Sequence, residues 1–445
     1  MKRNWIITAF IGAFICLMGS ANAQNRIEFK EFKLPNGLTV IMHQDNSTPI
    51  VAVNVFYHVG SKNERPERTG FAHFFEHLLF EGTENIGRGE YMKKVESIGG
   101  TLNAGTSKDY TTYYEIVPSN HLETVLYMES ERMLHAKIDE IGVNTQRGVI
   151  KEEKSQTQDN RPYGTIVKEV FERTHQNHPY NWTVIGESEH LDAATLEEFM
   201  EFYGTYYVPN NAVLVIAGDL DYAQTEALVE KYFGEIPTGT KEIPRTHKAD
   251  EQRTAEVRDI IYDNIQLPAV IQAYNLPPLQ HEDIPAFELL ATYLTGGNSS
   301  LMTKEIVDKQ QKALAVMAIP FVLEDGGLFI MYGVANMGVE AASLEESIDE
   351  QLALVRANGL TDSDFEKLKA QSESSIVNSL GSMAGIASEL AFSKTFYGDA
   401  NEINRKLEKA SNVTKEDIQR VAQQYLGKDG RVVLYYLPKS AAPAN

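Results

Sequence analysis

The 445 residues carry 41 Lys and Arg against 62 Asp and Glu, a formal net charge of −21. This balance argues against nucleic acid as a partner, because nucleic-acid binding relies on a basic surface. Hydrophobic residues at 42% and charged residues at 23% are typical of a globular protein. A chain of this length can bury its own cores without disulfides and is expected to form more than one domain.

The first 23 residues predict a secretory signal peptide. Lys2 and Arg3 precede an almost wholly apolar run over residues 5–18, and the tripeptide Ala-Asn-Ala ends at residue 23. A membrane-spanning helix needs about 20 apolar residues, so cleavage is favoured over an anchor and no stable membrane insertion is expected. The only cysteine, Cys16, lies in this run. We expect an exported protein without disulfides, in the periplasm of a Gram-negative bacterium.

Residues 24–240 read as one α+β half. A Pro-Asn-Gly turn at 35–37 separates two strand patterns, and a strand over 49–61 precedes an apolar helix in the stretch TGFAHFFEHLLFEGT, residues 69–83. The other elements predicted in this half are a helix over 89–98, strands over 101–117, helices over 121–137 and 143–158, a helix over 195–207 begun by a capping box of Thr195 and Glu198, a strand over 212–218 and a helix over 222–233.

Pro237 and Gly239, followed by Pro244 and a charged stretch to Arg253, predict a linker over residues 241–255 to a second half, residues 256–445. The order of elements then restarts, with a strand over 267–278, a helix over 284–294 and a terminal strand over 431–437. This pattern indicates a diverged duplication of two α+β halves, each a mainly antiparallel sheet with helices packed against it. The helix of the second copy contains no histidine, so only the first half is expected to hold a histidine site.

The helix in TGFAHFFEHLLFEGT carries His73, Glu76 and His77 among phenylalanines and leucines. Imidazoles at positions i and i+4 project from one helix face and can bind one metal ion, and Zn²⁺ accepts neutral imidazole well. Glu76 lies on the same face, where it can reach a water on that metal. The order H-x-x-E-H is the inverted zincin signature. The alternative is a core helix with two hydrogen-bonded histidines and a solvated glutamate.

A catalytic zinc ion usually has three protein ligands and an open position. The segment QRGVIKEEKSQ, on one predicted helix, offers Glu152 and Glu153 as candidates for the third ligand. The spacing alone does not decide between them.

Five further histidines are not expected to bind a metal ion. His58 and His135 fall in a predicted strand and a predicted helix, where a structural role is expected. The remaining three, His175, His178 and His190, cluster in sequence around a segment that reads as a loop, and a second metal site there is not favoured.

Several stretches together resemble the pitrilysin/insulinase family of zinc metallopeptidases, the inverzincins. They are G-x-A-H-F-x-E-H-x-x-F-x-G-T at 70–83, GGTLNAGTSKDYTTYY at 99–114, V-I-x-E-E at 149–153, and the segments HPYNWTVIGESEHL, FYGTYYVPNNAVLVIAGDLD and LVEKYFGEIP. The likeness is greatest to the branch of the mitochondrial processing peptidase and its short bacterial homologues. It covers nearly all of residues 30–437, strongly in the first half and weakly in the second.

The resemblance implies a metallopeptidase fold of the LuxS/processing-peptidase-like type and one Zn²⁺ per chain. It implies that His73 and His77 are zinc ligands and that Glu76 is the general base. The family's glutamate ligand falls on Glu153, with Glu152 as the alternative. The implied function is that of an exported zinc metalloendopeptidase that hydrolyses unstructured peptides.

The resemblance also implies roles for residues around the metal. Asn103 and Ala104 fall on the family's edge strand, which holds the substrate backbone as an added strand. The family often has a glutamate two helical turns before its glutamate ligand, and this chain has Gln146 there. A glutamine can hydrogen-bond a ligating group but supplies no charge.

One part of the family's machinery is missing from the expected places. Relatives usually place an arginine and a tyrosine from a C-terminal half near the substrate carbonyl. Here the arginine position after Gly-Asn-Ser-Ser is Leu301, and residues 312–318 contain no tyrosine. We therefore expect a sister subunit of the same family to supply both groups; a weakly active homodimer, a silent peptide-binding or scaffold subunit, and a hydrolase of non-peptide substrates are the alternatives.

Overall fold

The computed structural model describes residues 26–245 and 253–443. The predicted signal peptide and residues 246–252 of the predicted linker lie outside the described residues. No helix in the described ranges combines the length and the apolar character needed to cross a membrane.

The first half is built on a six-stranded sheet with the order β1-β2-β6-β3-β5-β4. Its strands are β1 (Lys30–Lys33), β2 (Thr39–Gln44), β3 (Ile50–Tyr57), β4 (Thr101–Thr106), β5 (Thr111–Pro118) and β6 (Ala212–Gly218). The pairs are antiparallel except β2 with β6, which is parallel. Strand β4 forms one edge of this sheet and pairs with β5.

Among the described residues, eight α-helices accompany this sheet. They are α1 (Phe71–Leu78), α2 (Tyr91–Ser97), α3 (Leu122–His135), α4 (Glu140–Lys154), α5 (Ile166–Thr174), α6 (Ser188–Ala193), α7 (Leu196–Tyr206) and α8 (Tyr222–Phe233). The capping box of Thr195 and Glu198 is present at the start of α7. The predicted helices are confirmed within a few residues at each end, whereas α5 and α6 were not predicted.

The second half has a five-stranded sheet with the order β7-β11-β8-β10-β9. Its strands are β7 (Val257–Asp263), β8 (Ala269–Leu276), β9 (Ala313–Phe321), β10 (Gly327–Ala335) and β11 (Val432–Pro438). Its helices are α9 (Ile284–Thr295), α10 (Ala341–Asn358), α11 (Asp362–Ser379), α12 (Met383–Tyr397), α13 (Glu402–Asn412) and α14 (Lys415–Tyr425). The order β11-β8-β10-β9 repeats β6-β3-β5-β4 of the first half, which confirms the α+β fold class with two similar halves. The domain boundaries at residues 240 and 255 stay a prediction.

One helix of each half packs against the sheet of the other half. Helix α12 of the second half packs against β3 and β6, where Ala387 and Leu390 are fully buried. Helix α5 of the first half packs against β8 and β11, where Phe171 is fully buried. Both sheets therefore bury apolar side chains that come from the opposite half, and this exchange joins the two halves.

A buried lysine reinforces the junction of the halves. The side chain of Lys62 is inaccessible to solvent, and its Nζ lies 2.9 Å from Asp109 Oδ1 and 3.2 Å from Asp325 Oδ2. It also pairs with Glu324. His58 Nε2 lies 2.8 Å from the same Glu324 carboxylate, at Oε2. Glu324 and Asp325 lie between β9 and β10 of the second half, so this cluster crosses the junction.

Candidate metal centre

Helix α1 is fixed in the core of the first half by its aromatic side chains. The ring centroids of Phe71 and Phe74 lie 4.5 and 4.4 Å from that of Phe199 on α7. Gly70 precedes the helix with a φ of 93°, and a Cβ there would lie 2.7 Å from the carbonyl oxygen of Ile185. Only glycine suits that position, because it combines a left-handed backbone with close packing. The apolar residues of the H-x-x-E-H stretch thus hold its polar residues in a fixed orientation.

Two buried polar side chains hold the backbone of α1. The Glu64 carboxylate accepts hydrogen bonds of 2.8 Å from the backbone amides of Gly70 and Ala72. The Tyr113 hydroxyl donates a 2.8 Å hydrogen bond to the carbonyl of Phe75. The Glu64 contacts satisfy amides of the first turn that a helix otherwise leaves unpaired, and the Tyr113 contact adds a second donor to a carbonyl that already accepts from the Leu79 amide.

The structure brings His73, His77 and Glu153 together. His73 Nε2 lies 3.6 Å from Glu153 Oε1, and His77 Nε2 lies 3.2 Å from Glu153 Oε2. One donor atom from each residue falls within 4.8 Å of the other two. Glu152 is exposed and accepts a 2.6 Å hydrogen bond from Gln156 Nε2 instead. Of the two glutamates that the sequence offered, Glu153 is the one on the histidine side of α4.

Burial and mutual contact shift the pKa values of the three side chains. Burial lowers the pKa of His73, which favours the neutral imidazole with a free lone pair. Burial also acts against the charge of His77, but the hydrogen bond and charge of Glu153 outweigh it and raise that pKa. The hydrogen bond from His77 lowers the pKa of Glu153. The ionised carboxylate thus meets the histidines through the same atoms that a shared metal ion would use.

The donor set fits a catalytic zinc ion. Two imidazole nitrogens and one carboxylate oxygen are the ligands of a three-ligand zinc site with an open fourth position. Nδ1 of His73 is buried without a hydrogen-bond partner among the described residues, so Nε2 is left as the atom that faces the site. The residues present therefore fit the metal that the resemblance implies.

Glu76 faces the site from α1 and is held by the edge strand. Thr106 Oγ1, at the end of β4, donates a 2.6 Å hydrogen bond to Glu76 Oε2. Asn103 and Ala104 lie on the same strand, opposite Tyr114 and Tyr113 of β5. The edge strand and the candidate general base are therefore joined by a direct contact. The alternation of a strand places residues 102, 104 and 106 on one face, but the sequence does not indicate that this face meets α1.

Gln146 lies on α4 two turns before Glu153, beside His77. Its Nε2 donates a 2.6 Å hydrogen bond to Glu81 Oε1. Its Oε1 is buried and makes no hydrogen bond among the described residues. Burial, which lowers the pKa of His77, and the carboxylates of Glu153 and Glu76, which raise it, are the larger influences on that pKa. The amide of Gln146 makes a smaller contribution, which also raises it. Glu81 was missed by sequence reasoning, and nothing in its spacing from Gln146 signals the contact.

The other histidines do not form a comparable site within the described ranges. The rings of His175 and His178 lie 6.0 Å apart, and His178 Nε2 lies 3.4 Å from Asp325 Oδ2. His190 lies elsewhere, with its Nδ1 2.8 Å from Thr69 Oγ1. Among residues 26–245 and 253–443, the group of His73, His77 and Glu153 is the one set of three or more such side chains that could hold a metal ion.

Comparison with known families agrees with this geometry. Residues 39–188 match the family model described as Insulinase (Peptidase family M16), and residues 193–372 match the Peptidase M16 inactive domain. The chain is 30% identical over 430 residues to the "Zinc protease PqqE" of Helicobacter pylori, which covers 95% of this chain and 96% of that protein. The chain belongs to the insulinase family, peptidase family M16.

Two further matches show how far the similarity extends. A "Probable mitochondrial-processing peptidase subunit beta" of Arabidopsis thaliana is 26% identical over 409 residues, covering 88% of this chain and 75% of that protein. A crystal structure of a protease from Helicobacter pylori superposes with a TM-score of 0.89 at 27% identity, covering 92% of this chain and 100% of that one. The resemblance drawn from the sequence motifs is confirmed.

The two M16 family models match consecutive parts of the chain. The model of the insulinase peptidase contains α1, β4 and α4, which carry the candidate site. The model of the inactive domain begins just before α7 and ends within α11. In that part, residues 299–301 lie between α9 and β9, and residues 313–318 belong to β9 itself. The positions where the family's arginine and tyrosine were expected therefore lie at or beside the edge strand of the second sheet.

Proposed function

We propose that this protein is an exported zinc metalloendopeptidase that hydrolyses unstructured peptides. The observation that carries the proposal is the convergence of His73 Nε2, His77 Nε2 and a Glu153 oxygen, with Glu76 on the same face of α1. The names of the relatives, which are zinc proteases, support the peptidase function. His73, His77 and Glu153 hold the ion in this proposal.

Bound zinc supplies Lewis-acid chemistry, because it lowers the pKa of a water molecule and polarises a carbonyl. Glu76 takes the proton of the attacking water as the water oxygen bonds to the peptide carbonyl carbon. The same carboxyl group then gives the proton to the amide nitrogen as the C–N bond breaks. Thr106 occupies Oε2 of Glu76, which leaves Oε1 for this proton transfer.

The edge strand β4 is the proposed binding place for the substrate backbone. A peptide that adds to a sheet edge is held by main-chain hydrogen bonds, which tolerate many sequences. Asn103 is exposed on this strand, and Ala104 is half-buried. Because Thr106 of β4 contacts Glu76, a peptide on β4 lies next to the proposed base. A folded protein has few free strands to offer, so unstructured peptides are the expected substrates.

A sister subunit completes the site in this proposal. Donors aimed at the developing oxyanion contribute strongly to peptide hydrolysis, and Leu301 occupies the place where the family's arginine is expected. A second chain of the same family that carries the arginine and tyrosine would close over β4. Export to the periplasm follows from the signal-peptide pattern of the first 23 residues.

The proposal is tested with the variant Glu76→Gln, which keeps the size of the side chain and removes the base. It is expected to bind one zinc ion per chain like the wild type and to lose hydrolysis of an unstructured peptide by about 100-fold or more. Glu152→Gln, on the exposed side of α4, is the matched control and is expected to keep both zinc binding and peptide hydrolysis. A wild-type protein that binds no stoichiometric zinc would refute the proposal.

The sister subunit is tested by co-purification from the native periplasm, followed by mass spectrometry. A co-purifying M16 chain with the arginine and tyrosine is expected, and its addition should raise the activity of this chain. Full activity of the chain alone would contradict the two-subunit part. Zinc binding without hydrolysis, even with the sister chain present, would instead support the silent scaffold.

A further inference from the structure

A chain of polar side chains leads from His77 away from the proposed zinc site. Gln146 Nε2 donates to Glu81 Oε1 at 2.6 Å, and Arg88 Nη1 donates to the other oxygen of Glu81. Arg88 Nη2 donates to Asp139 Oδ1 at 2.8 Å and to Oδ2 at 3.0 Å. The chain therefore runs from Gln146 through Glu81 and Arg88 and ends at the carboxylate of Asp139.

The outer end of this chain is anchored in the start of α4. Asp139 Oδ1 accepts a 2.8 Å hydrogen bond from the backbone amide of Gly142 and caps the helix. The side chain of Glu81 is only 10% exposed. Its two oxygens are both occupied, one by Arg88 and one by Gln146. Glu81 is thus held between Gln146 and Arg88, and Arg88 is in turn held by Asp139.

The direction of the hydrogen bonds follows from the chemistry of the end groups. A guanidinium has donors only, and an ionised carboxylate has acceptors only. Because Glu81 can only accept, it must receive the NH₂ group of Gln146 and not its oxygen. The carboxamide oxygen of Gln146 is then the atom that points away from Glu81. It is buried and makes no hydrogen bond among the described residues, so it is available to His77 on α1, the helix that packs against α4.

An acceptor beside His77 has a specific use. Nε2 of His77 faces Glu153, so Nδ1 is the ring nitrogen left to donate to Gln146. A hydrogen bond from the second ring nitrogen fixes the tautomer and orientation of a metal-binding histidine.

We propose that Glu81 is a positioning residue for the zinc site: it orients the amide of Gln146 so that its oxygen holds His77 with Nε2 free for the metal. The inference rests on the proposed function, because it takes His77 as a zinc ligand. It also explains why a glutamine stands where the family often has a glutamate. Next to Glu81, residue 146 must donate on one side and accept on the other, and a carboxylate cannot donate.

The test measures Zn²⁺ affinity by competition with a chromogenic chelator on the full chain. In Glu81→Gln, residue 81 must still accept from Arg88, so it turns its NH₂ group towards Gln146. Gln146 then turns its own NH₂ group towards His77, and two donors face each other. Loss of such a partner costs about 10-fold to 100-fold in metal affinity, and we expect a loss of that size.

The double variant Glu81→Gln/Gln146→Glu restores the matching directions, because a carboxylate at position 146 would accept from both neighbours while the net charge returns to that of the wild type. It is expected to recover most of the lost affinity. Glu152→Gln removes one negative charge near the site without touching this chain of hydrogen bonds and controls for charge alone. Thermal unfolding of the metal-free variants checks that each one folds.

The inference is overturned if Glu81→Gln binds zinc as tightly as Glu152→Gln, or if the double variant is as weak as the single one. These outcomes differ from failure of the proposed function, which requires that the wild type binds no stoichiometric zinc. Nitrogen-15 NMR of the zinc-loaded protein gives a second readout. The proton of His77 is expected on Nδ1 in the wild type, and a proton on Nε2 there would also overturn the inference.

Discussion

The substitution Lys62→Met is expected to loosen the junction between the two halves. Methionine has nearly the length of lysine but no charge, so the side chain still fills its place. The buried ammonium group lies 2.9 Å from Asp109 and 3.2 Å from Asp325 and also pairs with Glu324. Removing it leaves three carboxylates close together, without their central cation.

The size of the effect follows from this geometry. Breaking a buried ion pair by removing one partner costs about 3–5 kcal/mol, because an uncompensated charge stays behind. For a unit of the size of one half, each kcal/mol lowers the melting temperature by about 2–4 °C, so a decrease of roughly 10 °C at neutral pH is expected. Burial opposes the charge of Lys62, yet the three carboxylates outweigh it and raise its pKa, so the wild-type lysine is charged at neutral pH.

The assay is thermal unfolding followed by circular dichroism between pH 7 and pH 3. Burial tends to raise the pKa of Glu324, but His58 and Lys62 outweigh it and lower the pKa from 4.5 to about 2. A lowered folded-state pKa gives stability that is present above the unfolded-state value and is lost as the pH falls towards the folded-state value. The difference between wild type and Lys62→Met should therefore be largest at pH 7 and shrink below about pH 4.5.

The control for this experiment is Lys231→Met, which removes an exposed lysine paired with Glu123 at 2.8 Å. Exposed pairs contribute little, so no resolvable change in melting temperature is expected. A destabilisation by Lys62→Met that is no larger than that of the control, or one that does not change with pH, would refute the reasoning from the buried cluster.

Two further predictions concern the zinc site. Glu153→Gln should lower zinc affinity far more than Glu152→Gln, as measured by chelator competition, because only Glu153 lies between the histidines; equal losses would contradict the ligand assignment. Thr106→Val should lower kcat of the active enzyme by about 10-fold to 100-fold with zinc content unchanged, since a hydrogen bond to a charged group contributes about 1.5–3 kcal/mol. Thr106→Ser keeps the hydroxyl and should restore most of the rate, and a serine variant as slow as the valine variant would argue against a role through Glu76.

The local sequence pattern was sufficient to predict the helix of the H-x-x-E-H stretch. The spacing of His73 and His77 places them on one helix face whatever the rest of the chain does, because the period of an α-helix is a property of the backbone. The helix α8 was predictable from its local sequence in the same way. The strands β3 and β6 were predictable from another local signal, because each is a short apolar run rich in valine and isoleucine. The repeated order of elements likewise indicated two similar halves before any contact was known.

Contacts between distant parts of the chain were decided only by the tertiary structure. Glu152 and Glu153 are neighbours on one helix, and only the packing of α4 against α1 turns Glu153 towards the histidines. The contact of Glu81 with Gln146 joins residues 65 positions apart, which no local pattern encodes. Helix α5 shows the same limit, because its apolar face is buried by the sheet of the other half. The sequence shows which side chains lie on one face of a helix or strand. Only the folded structure shows which residues elsewhere in the chain pack against that face.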